Sequence, residues 1–244
     1  MVLRTLIFLL CLSFGPAWAE GLPPVVGQGR VEGVEPGGIL RLEDGRRVRL
    51  AVLEGRAEVR DAVAPLVVGH AVALHWPTEQ HDRHGRLVAH VVRADGLWLQ
   101  RVLVGDGAAR VVTFPDERAA AASLLEVEAS ARNAGRGIWA TSPLLPAADV
   151  AAVDKAKGQL AVIEGTVVSA AVVRGRLYLN FGQDWRRDVT VSISAAGLRT
   201  FPKPARAAEY WQGQPIRARG WVRRYNGPLI EVDHPEALER LGGK

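Results

Sequence analysis

Sulfur-containing side chains are almost absent from this sequence. Its 244 residues include one cysteine, Cys11, and one methionine, Met1. Both belong to a stretch with an arginine near its start, an apolar run over residues 6–14 and a small-x-small pattern that ends at Ala19. This arrangement is typical of a cleaved signal peptide. Cleavage after Ala19 would leave a mature chain without thiols, which excludes disulfides, cysteine nucleophiles and zinc–cysteine sites.

Long hydrophobic runs are also missing. A membrane-spanning helix needs roughly 20 apolar residues, and no run in the sequence reaches that length. An uncleaved membrane anchor is the alternative interpretation of the N-terminal run, although the run is too short to span a bilayer. The sequence therefore predicts a periplasmic or secreted protein, with no stable membrane insertion after signal cleavage.

The charge of the chain is moderately positive. Lysine and arginine number 31 against 26 acidic residues, which gives a net charge of +5. Basic exported proteins attract nucleic acid and other polyanions through phosphate contacts. Acidic residues are interspersed among the arginines, so the composition is compatible with a polyanion partner without requiring one.

Alternation of apolar and polar residues predicts the same order of elements twice along the chain: three strands, a short helix and two strands. The first copy has expected strands at residues 29–32, 39–42, 47–53, 71–76 and 87–93, a helix at 57–67, and further helices at 97–104 and 117–133. The second copy has expected strands at 160–169, 176–181, 189–193, 216–223 and 229–232, a helix at 205–211 and a terminal helical turn at 235–241. This order is that of the OB-fold, a five-stranded, partly open barrel.

The predicted fold class is therefore mainly β with some helix (α+β), with one OB-fold barrel followed by a second, small OB-like barrel. The expected division is a signal peptide at 1–19, a first domain at 25–140, a linker at 141–157 and a second domain at 158–244. Two prolines, at 143 and 146, favour the linker assignment.

Four segments of the first domain carry a family resemblance. Residues 48–54 read V-R-L-A-V-L-E, residues 82–89 read D-R-H-G-R-L-V-A, residues 103–109 read L-V-G-D-G-A-A, and residues 128–139 contain E-x-x-A-R and end in G-I-W. In this order and spacing they resemble the thermonuclease (staphylococcal nuclease-like) family over about residues 26–140. The resemblance implies that the first barrel is an OB-fold of the staphylococcal nuclease-like type.

The resemblance also implies a phosphodiester chemistry. In that family two arginines hold the transition-state charge through bidentate hydrogen bonds, and carboxylates bind calcium and orient the attacking water. Arg49 and Arg86 match the two arginines, and Glu54 matches a metal-binding carboxylate. If the protein is active, the catalytic residues implied are Arg49, Arg86, Glu54 and Glu58, with calcium as the cofactor.

The acidic part of the pattern departs from the family. The acid of the first loop, usually D-G-D-T, falls on Gly37, and the general-base glutamate falls on Ala57, one residue before Glu58. Because a calcium site needs roughly six oxygen ligands, these departures predict impaired hydrolysis. Enzyme activity stays an open question at this stage. His81 and His84 lack a third ligand at a diagnostic spacing, so we expect them to be solvated rather than bound to zinc.

The two arginines also have simpler interpretations. Arg49 could be a strand-end residue that pairs with Glu43 or Asp44, and Arg86 could be a turn residue that follows Gly85. The order of the family segments favours a shared anion-binding role for both, with nucleic acid as a candidate ligand.

The second domain concentrates aromatic and basic side chains. OB barrels bind single strands by stacking bases on aromatic residues beside a basic groove, which favours a nucleic-acid-binding role for Trp185, Arg187, Trp221 and Tyr225, with Arg186 and Arg223 nearby. In the alternative interpretation the tryptophans cap the barrel, and the arginines pair with Asp184, Asp188 and Glu231. The segment resembles the C-terminal extension of some exported bacterial thermonuclease-like proteins.

Three functional hypotheses follow from these features. The leading one is an exported, catalytically impaired nuclease homologue that binds phosphate-rich or other anionic ligands. The second is an active calcium-dependent phosphodiesterase. The third is an envelope protein-interaction module whose positive charge is incidental.

Overall fold

The computed structural model describes residues 21–54, 59–142 and 144–242 of the chain. The expected signal peptide at 1–19 and the two residues Ala57 and Glu58 lie outside these ranges. The strands are β1 (Val25–Glu35), β2 (Ile39–Leu42), β3 (Arg47–Leu50), β4 (Ala71–His75), β5 (Leu87–Arg93), β6 (Leu145–Pro146), β7 (Leu160–Thr166), β8 (Ser169–Val173), β9 (Arg176–Asn180), β10 (Thr190–Ile193), β11 (Pro215–Tyr225), β12 (Gly227–Val232) and β13 (Leu238–Arg240). The helices are α1 (Val59–Val67), α2 (Leu99–Gly105), α3 (Ala121–Asn133), α4 (Ile138–Thr141), α5 (Val150–Lys155) and α6 (Ala195–Leu198).

The first sheet closes into a barrel with the strand order β1–β2–β3–β5–β4. β1 is long enough to pair with β4 through its first half and with β2 through its second half, and its register with β2 shifts between Val31 and Gly33. β3 and β5 run parallel, which is possible because α1 and β4 provide the crossover between them. Buried aliphatic residues of the strands, such as Leu40, Leu42 and Val48, fill the barrel.

The second sheet repeats this pairing order but stays open as a curled half-barrel. β7 and β8 act as the two halves of one long strand: β7 pairs with β11, and β8 pairs with β9. β10 and β12 run parallel, as β3 and β5 do in the first barrel. The predicted fold class, an OB-type barrel followed by a second OB-like barrel, is confirmed.

The segment at 141–157, expected to be a linker, instead contains regular structure. β6 pairs in parallel with β7, and α5 begins at the N-cap residue Asp149, whose side chain accepts a hydrogen bond from Ala152. Ala147 and Val153 are buried in the core of the second sheet. Of the two prolines that suggested a linker, Pro146 belongs to β6, and residue 143 lies outside the described residues. The division of the chain into two domains stays a prediction.

The start of α3 also differs from the sequence prediction. The helix begins at Ala121 rather than at residue 117. Phe114 and Glu117 exchange backbone hydrogen bonds across a tight turn, and the Glu117 carboxylate accepts the backbone N–H of Val52 at 2.7 Å. Val52, which is distant in the sequence, thus holds Glu117 against the barrel. Glu117 is therefore not part of the first turn of α3.

Two further short elements differ from expectation. Residues 205–211 form parts of two 3-10 turns, Lys203–Arg206 and Ala208–Tyr210, rather than one helix. Prolines at 202 and 204 supply no backbone N–H, so a regular helix is unfavourable there. The expected helical turn at 235–241 is a 3-10 turn, Pro235–Ala237, followed by β13.

α3 lies between the two sheets. Leu124 is buried in the first core, whereas Ala131 packs with Trp139 and with Val162 of β7 in a small cluster between the units. One helix therefore contributes to the first core and to the small cluster between the units. Within the described ranges, no helix has the length and hydrophobicity needed to cross a membrane.

Candidate anion-binding cleft

A cleft of about 490 Å3 opens on the first barrel beside the end of β3. Its wall includes Gly37 from the loop between β1 and β2, Arg49 from β3, and Arg83 and Arg86 from the loop between β4 and β5. The structure therefore brings the two arginines of the family pattern to one surface. It adds Arg83 as a third basic side chain.

Arg49 reaches the cleft because its neighbours on β3 face inward. Val48 and Leu50 are buried, while Arg49 is partly exposed. Its Nη1 and Nη2 atoms both donate to the carboxylate of Glu117, with Nη1 to Oε1 at 3.1 Å. Since a guanidinium has five N–H donors, this fork leaves further donors on Arg49. The alternative interpretation, in which Arg49 pairs with Glu43 or Asp44, is wrong, because those acids pair with Arg30 and Arg46.

Arg86 is held by Asp82 within one turn. The Asp82 Oδ1 atom accepts the backbone N–H groups of His84 and Arg86 at 2.8 and 3.1 Å, and Oδ2 accepts Arg86 Nε at 2.7 Å. Partial burial by itself would raise the pKa of Asp82, but these hydrogen bonds outweigh burial and hold the pKa at about 2. The carboxylate is therefore ionised at neutral pH and fixes the guanidinium of Arg86.

The two carboxylates anchor the arginines without lining the cleft. Neither Asp82 nor Glu117 belongs to the described wall, whereas Arg49 and Arg86 do. A second ion contact, 3.5 Å from Arg49 Nε to Asp82 Oδ2, links both arginines to the same acid. Preformed guanidinium groups in fixed positions are suited to bidentate recognition of phosphate.

Glu54 is the one acidic residue on the described part of the cleft wall. Its backbone N–H donates to the carbonyl oxygen of Arg110 at 2.9 Å. Gly37, at the position of the first-loop acid in the family, lies on the same wall with φ of 77°. The remaining catalytic candidate, Glu58, lies outside the described residues.

The family resemblance implies calcium as the cofactor. Calcium takes roughly six to eight oxygen ligands. In residues 21–54, 59–142 and 144–242, no group of three or more histidine, cysteine or acidic residues could hold a metal ion. With Asp82 and Glu117 engaged by arginines, Glu54 is one carboxylate in a site that needs several. The described residues do not fit a calcium site.

The two loop histidines have other contacts. His84 accepts a hydrogen bond from Arg83 Nε at 3.1 Å, and His81 lies 3.9 Å from Glu79. Both histidines are exposed.

The second unit contributes to the edge of the cleft. Trp221 of β11 lines it together with Phe114, and the two rings stack with centroids 5.9 Å apart. The sequence prediction had grouped Trp221 with Trp185 and Tyr225 on one face. The structure instead places Trp185 and Tyr225 beside a different cavity, so the predicted group is divided between two surfaces.

The basic residues of the predicted second-unit face have mixed contacts. Arg223 pairs with Glu231 at 2.8 Å, as the alternative interpretation proposed. Arg187 lies 3.8 Å from Asp184, and its side chain is 87% exposed. Arg186 packs its guanidinium over the Trp185 ring, 4.6 Å from the centroid.

The two carboxylates that hold the arginines of this cleft were not among the predicted site residues. Asp82 was present in the D-R-H-G-R segment, and its spacing of four from Arg86 is a local signal for their pairing. Glu117 is 68 positions from Arg49, and no local pattern joins them. Only the tertiary structure identifies the second partner.

Comparison with known proteins supports the resemblance for three of the four segments, all except residues 48–54. Residues 57–141 match the family model described as staphylococcal nuclease homologue. No curated protein matches the chain.

Proposed function

We propose, from the premise that the chain contains a staphylococcal nuclease-like domain, that it binds phosphate-bearing ligands at the Arg49–Arg86 cleft and hydrolyses them poorly. The observation that carries the proposal is the composition of the cleft wall. Three arginines, Arg49, Arg83 and Arg86, stand there with Glu54 as the one acidic residue in the described wall.

The contacts of the arginines support binding. Asp82 and Glu117 fix the guanidinium groups, so little side-chain freedom is lost when a phosphate binds. Within the described ranges, Arg86 contacts Asp82 through Nε and Nη2. The Nη1 atom therefore keeps its donors for an oxygen of the ligand. The same carboxylates neutralise part of the positive charge, so the expected affinity is moderate and sensitive to salt.

The acidic positions support poor hydrolysis. A metal-assisted phosphodiesterase needs several oxygen ligands to hold the cation and a carboxylate to position water. Gly37 offers no side-chain oxygen on this wall, and Glu54 supplies one carboxylate. An active calcium-dependent enzyme that uses Glu54 with Glu58 is the rival function, and an envelope protein-interaction module is the third.

Binding is tested by titrating the signal-less chain with pyrophosphate in a calorimeter at two salt concentrations. We expect measurable binding that weakens as salt rises, and loss of binding in Arg86→Ala. Arg47→Ala is the matched control: Arg47 lies on the same strand, pairs with Glu35 and does not line the cleft. Unchanged binding in Arg86→Ala would contradict the assigned site.

Hydrolysis is tested with single-stranded DNA or RNA and millimolar calcium at mildly alkaline pH. We expect little or no cleavage. Robust cleavage that a chelator abolishes and that Arg49→Ala removes would establish the enzyme instead, and Glu58→Gln would then test the shifted base. Absence of both cleavage and pyrophosphate binding would favour the protein-interaction module.

Export is part of the same proposal and rests on the N-terminal pattern that ends at Ala19. Expression of the full chain in a bacterium, followed by mass spectrometry of the periplasmic fraction, should give Glu20 as the first residue. Intact Met1 on protein in the membrane fraction would contradict the proposal.

A further inference from the structure

A second cavity lies on the outer face of the second sheet. Its volume is about 420 Å3, within the roughly 300–1,000 Å3 typical of ligand pockets. β8, β9, β10 and β12 form its floor, and the loop after β9 and the turn after β11 form its rim. In OB-folds this region, the second and third strands with the adjoining loops, is where oligonucleotides and oligosaccharides bind.

The floor of the cavity is ordered by strand alternation and by hydrogen bonds. Leu177 and Leu179 are buried in the core, which turns Tyr178 and Asn180 of β9 to the outer face. Asn180 pairs with Thr190 of β10 in register, and the Thr190 hydroxyl donates to Asn180 Oδ1 at 3.0 Å. The surface is therefore preformed, which lowers the entropic cost of binding a ligand.

Two aromatic side chains on the rim are not used by the core. Trp185 is 51% exposed and Tyr225 is 73% exposed. Trp211 shows the contrasting case, because it is 3% exposed and its indole N–H donates to the Ala205 carbonyl at 2.8 Å. Trp211 is a structural tryptophan of this unit. Trp185, with Arg186 over its ring, and Tyr225 are exposed beside a cavity, as stacking residues are.

The charges around the rim indicate an anionic occupant. The Arg186 guanidinium lies 4.6 Å from the Trp185 ring centroid, and Arg187 follows it, 87% exposed and 3.8 Å from the half-exposed Asp184. Arg174, in the turn between β8 and β9, is also exposed. A neutral glycan would gain from the aromatic faces but not from these cations, whereas a nucleic-acid strand uses both.

We propose that this cavity binds a single strand of nucleic acid, with bases stacked on Trp185 and Tyr225 and backbone phosphates against Arg186 and Arg187. The site is separate from the arginine cleft on the first barrel and does not depend on phosphate binding there. In this proposal the second unit recognises bases, and the first unit recognises phosphate.

The test measures fluorescence anisotropy of a short labelled oligothymidylate with the full signal-less chain. Because stacking on one aromatic residue is worth roughly 1–3 kcal/mol, Trp185→Ala and Tyr225→Ala should each raise Kd by roughly five- to 150-fold. Trp185→Phe keeps a stacking face and should restore most of the affinity. Gln183→Ala, in the same loop but outside the cavity wall, is the matched control and should bind as the unchanged chain does.

Other outcomes overturn the proposal. If Arg49→Ala and Arg86→Ala abolish oligothymidylate binding while Trp185→Ala and Tyr225→Ala leave it unchanged, the strand binds only at the cleft, and the proposed function stands without this site. If a neutral chitin oligosaccharide binds in a Trp185-dependent manner and oligothymidylate does not, the cavity is a glycan site. If neither ligand binds and pyrophosphate still does, the cavity has no role in recognising bases.

Discussion

Glu128 of α3 and Arg219 of β11 form an ion pair across the two units, with Nη1 and Oε2 2.9 Å apart and 91 positions between them in sequence. The two side chains are 0% and 2% exposed. The other Glu128 oxygen accepts the backbone N–H of Val111 at 2.8 Å, and Arg219 Nη2 donates to Glu239 at 2.8 Å. Buried charges are tolerated when they are paired and hydrogen-bonded in this way.

Removal of the Glu128 charge should destabilise the whole chain. Glu128→Gln leaves Arg219 buried with less compensation, and the expected loss is about 3 kcal/mol. Thermal unfolding followed by circular dichroism should show a lower Tm for this variant. Glu126→Gln, at an exposed position of the same helix, is the control and should unfold as the parent chain does. Equal Tm values for both variants would contradict a structural role for the pair.

The boundary of the second unit can be tested with two fragments. A fragment that starts at residue 144 keeps β6 and α5, including the buried Ala147 and Val153, whereas one that starts at Gly158 lacks them. We expect both fragments to fold, and the longer one to melt cooperatively at a higher temperature because it retains buried apolar surface. Amide NMR dispersion measures folding directly. A disordered spectrum for the longer fragment would show that the second unit depends on the first.

Glu117 should limit the affinity of the cleft for phosphate. Its carboxylate accepts hydrogen bonds from Nη1 and Nη2 of Arg49. Glu117→Gln therefore removes a negative charge that competes with phosphate for Arg49. An amide oxygen can still accept the Val52 N–H that Glu117 accepts at present. We expect pyrophosphate affinity to rise roughly three- to tenfold, measured by calorimetry. Glu43→Gln, on the exposed surface, is the control, and weaker binding in Glu117→Gln would show that the carboxylate mainly positions Arg49.

His90 should make stability depend on pH in the mildly acidic range. Burial lowers its pKa from 6.5 to about 4, although a hydrogen bond to the Ala119 carbonyl acts in the opposite direction. Between these values the unfolded chain binds a proton that the folded chain excludes, so stability falls as pH drops through the window.

Urea unfolding measured at several pH values tests this dependence. His90 should contribute a slope of at most about 1.4 kcal/mol per pH unit, and His90→Gln should lose that contribution whatever its absolute stability. His81→Gln, at an exposed loop position, should retain it. The prediction is wrong if His90→Gln and the parent chain show the same slope.

Local sequence determined the order of elements and much of the arginine site. Strand alternation and turn residues act over a few positions, so the two OB-type orders could be predicted before any contact was known. The spacing of Asp82 and Arg86 belongs to the same class of signal, because four residues of a turn bring the two side chains together.

Tertiary structure decided what distant residues do. Glu117 lies outside α3, contrary to the sequence prediction, because Arg49 and Val52, distant in the sequence, bind its carboxylate. Trp221 lies at the arginine cleft rather than beside Trp185 because β11 packs against the first unit, where Phe114 stacks on it. Such positions depend on how two sheets dock, and docking is set by long-range packing and buried charge pairs that have no period in the sequence.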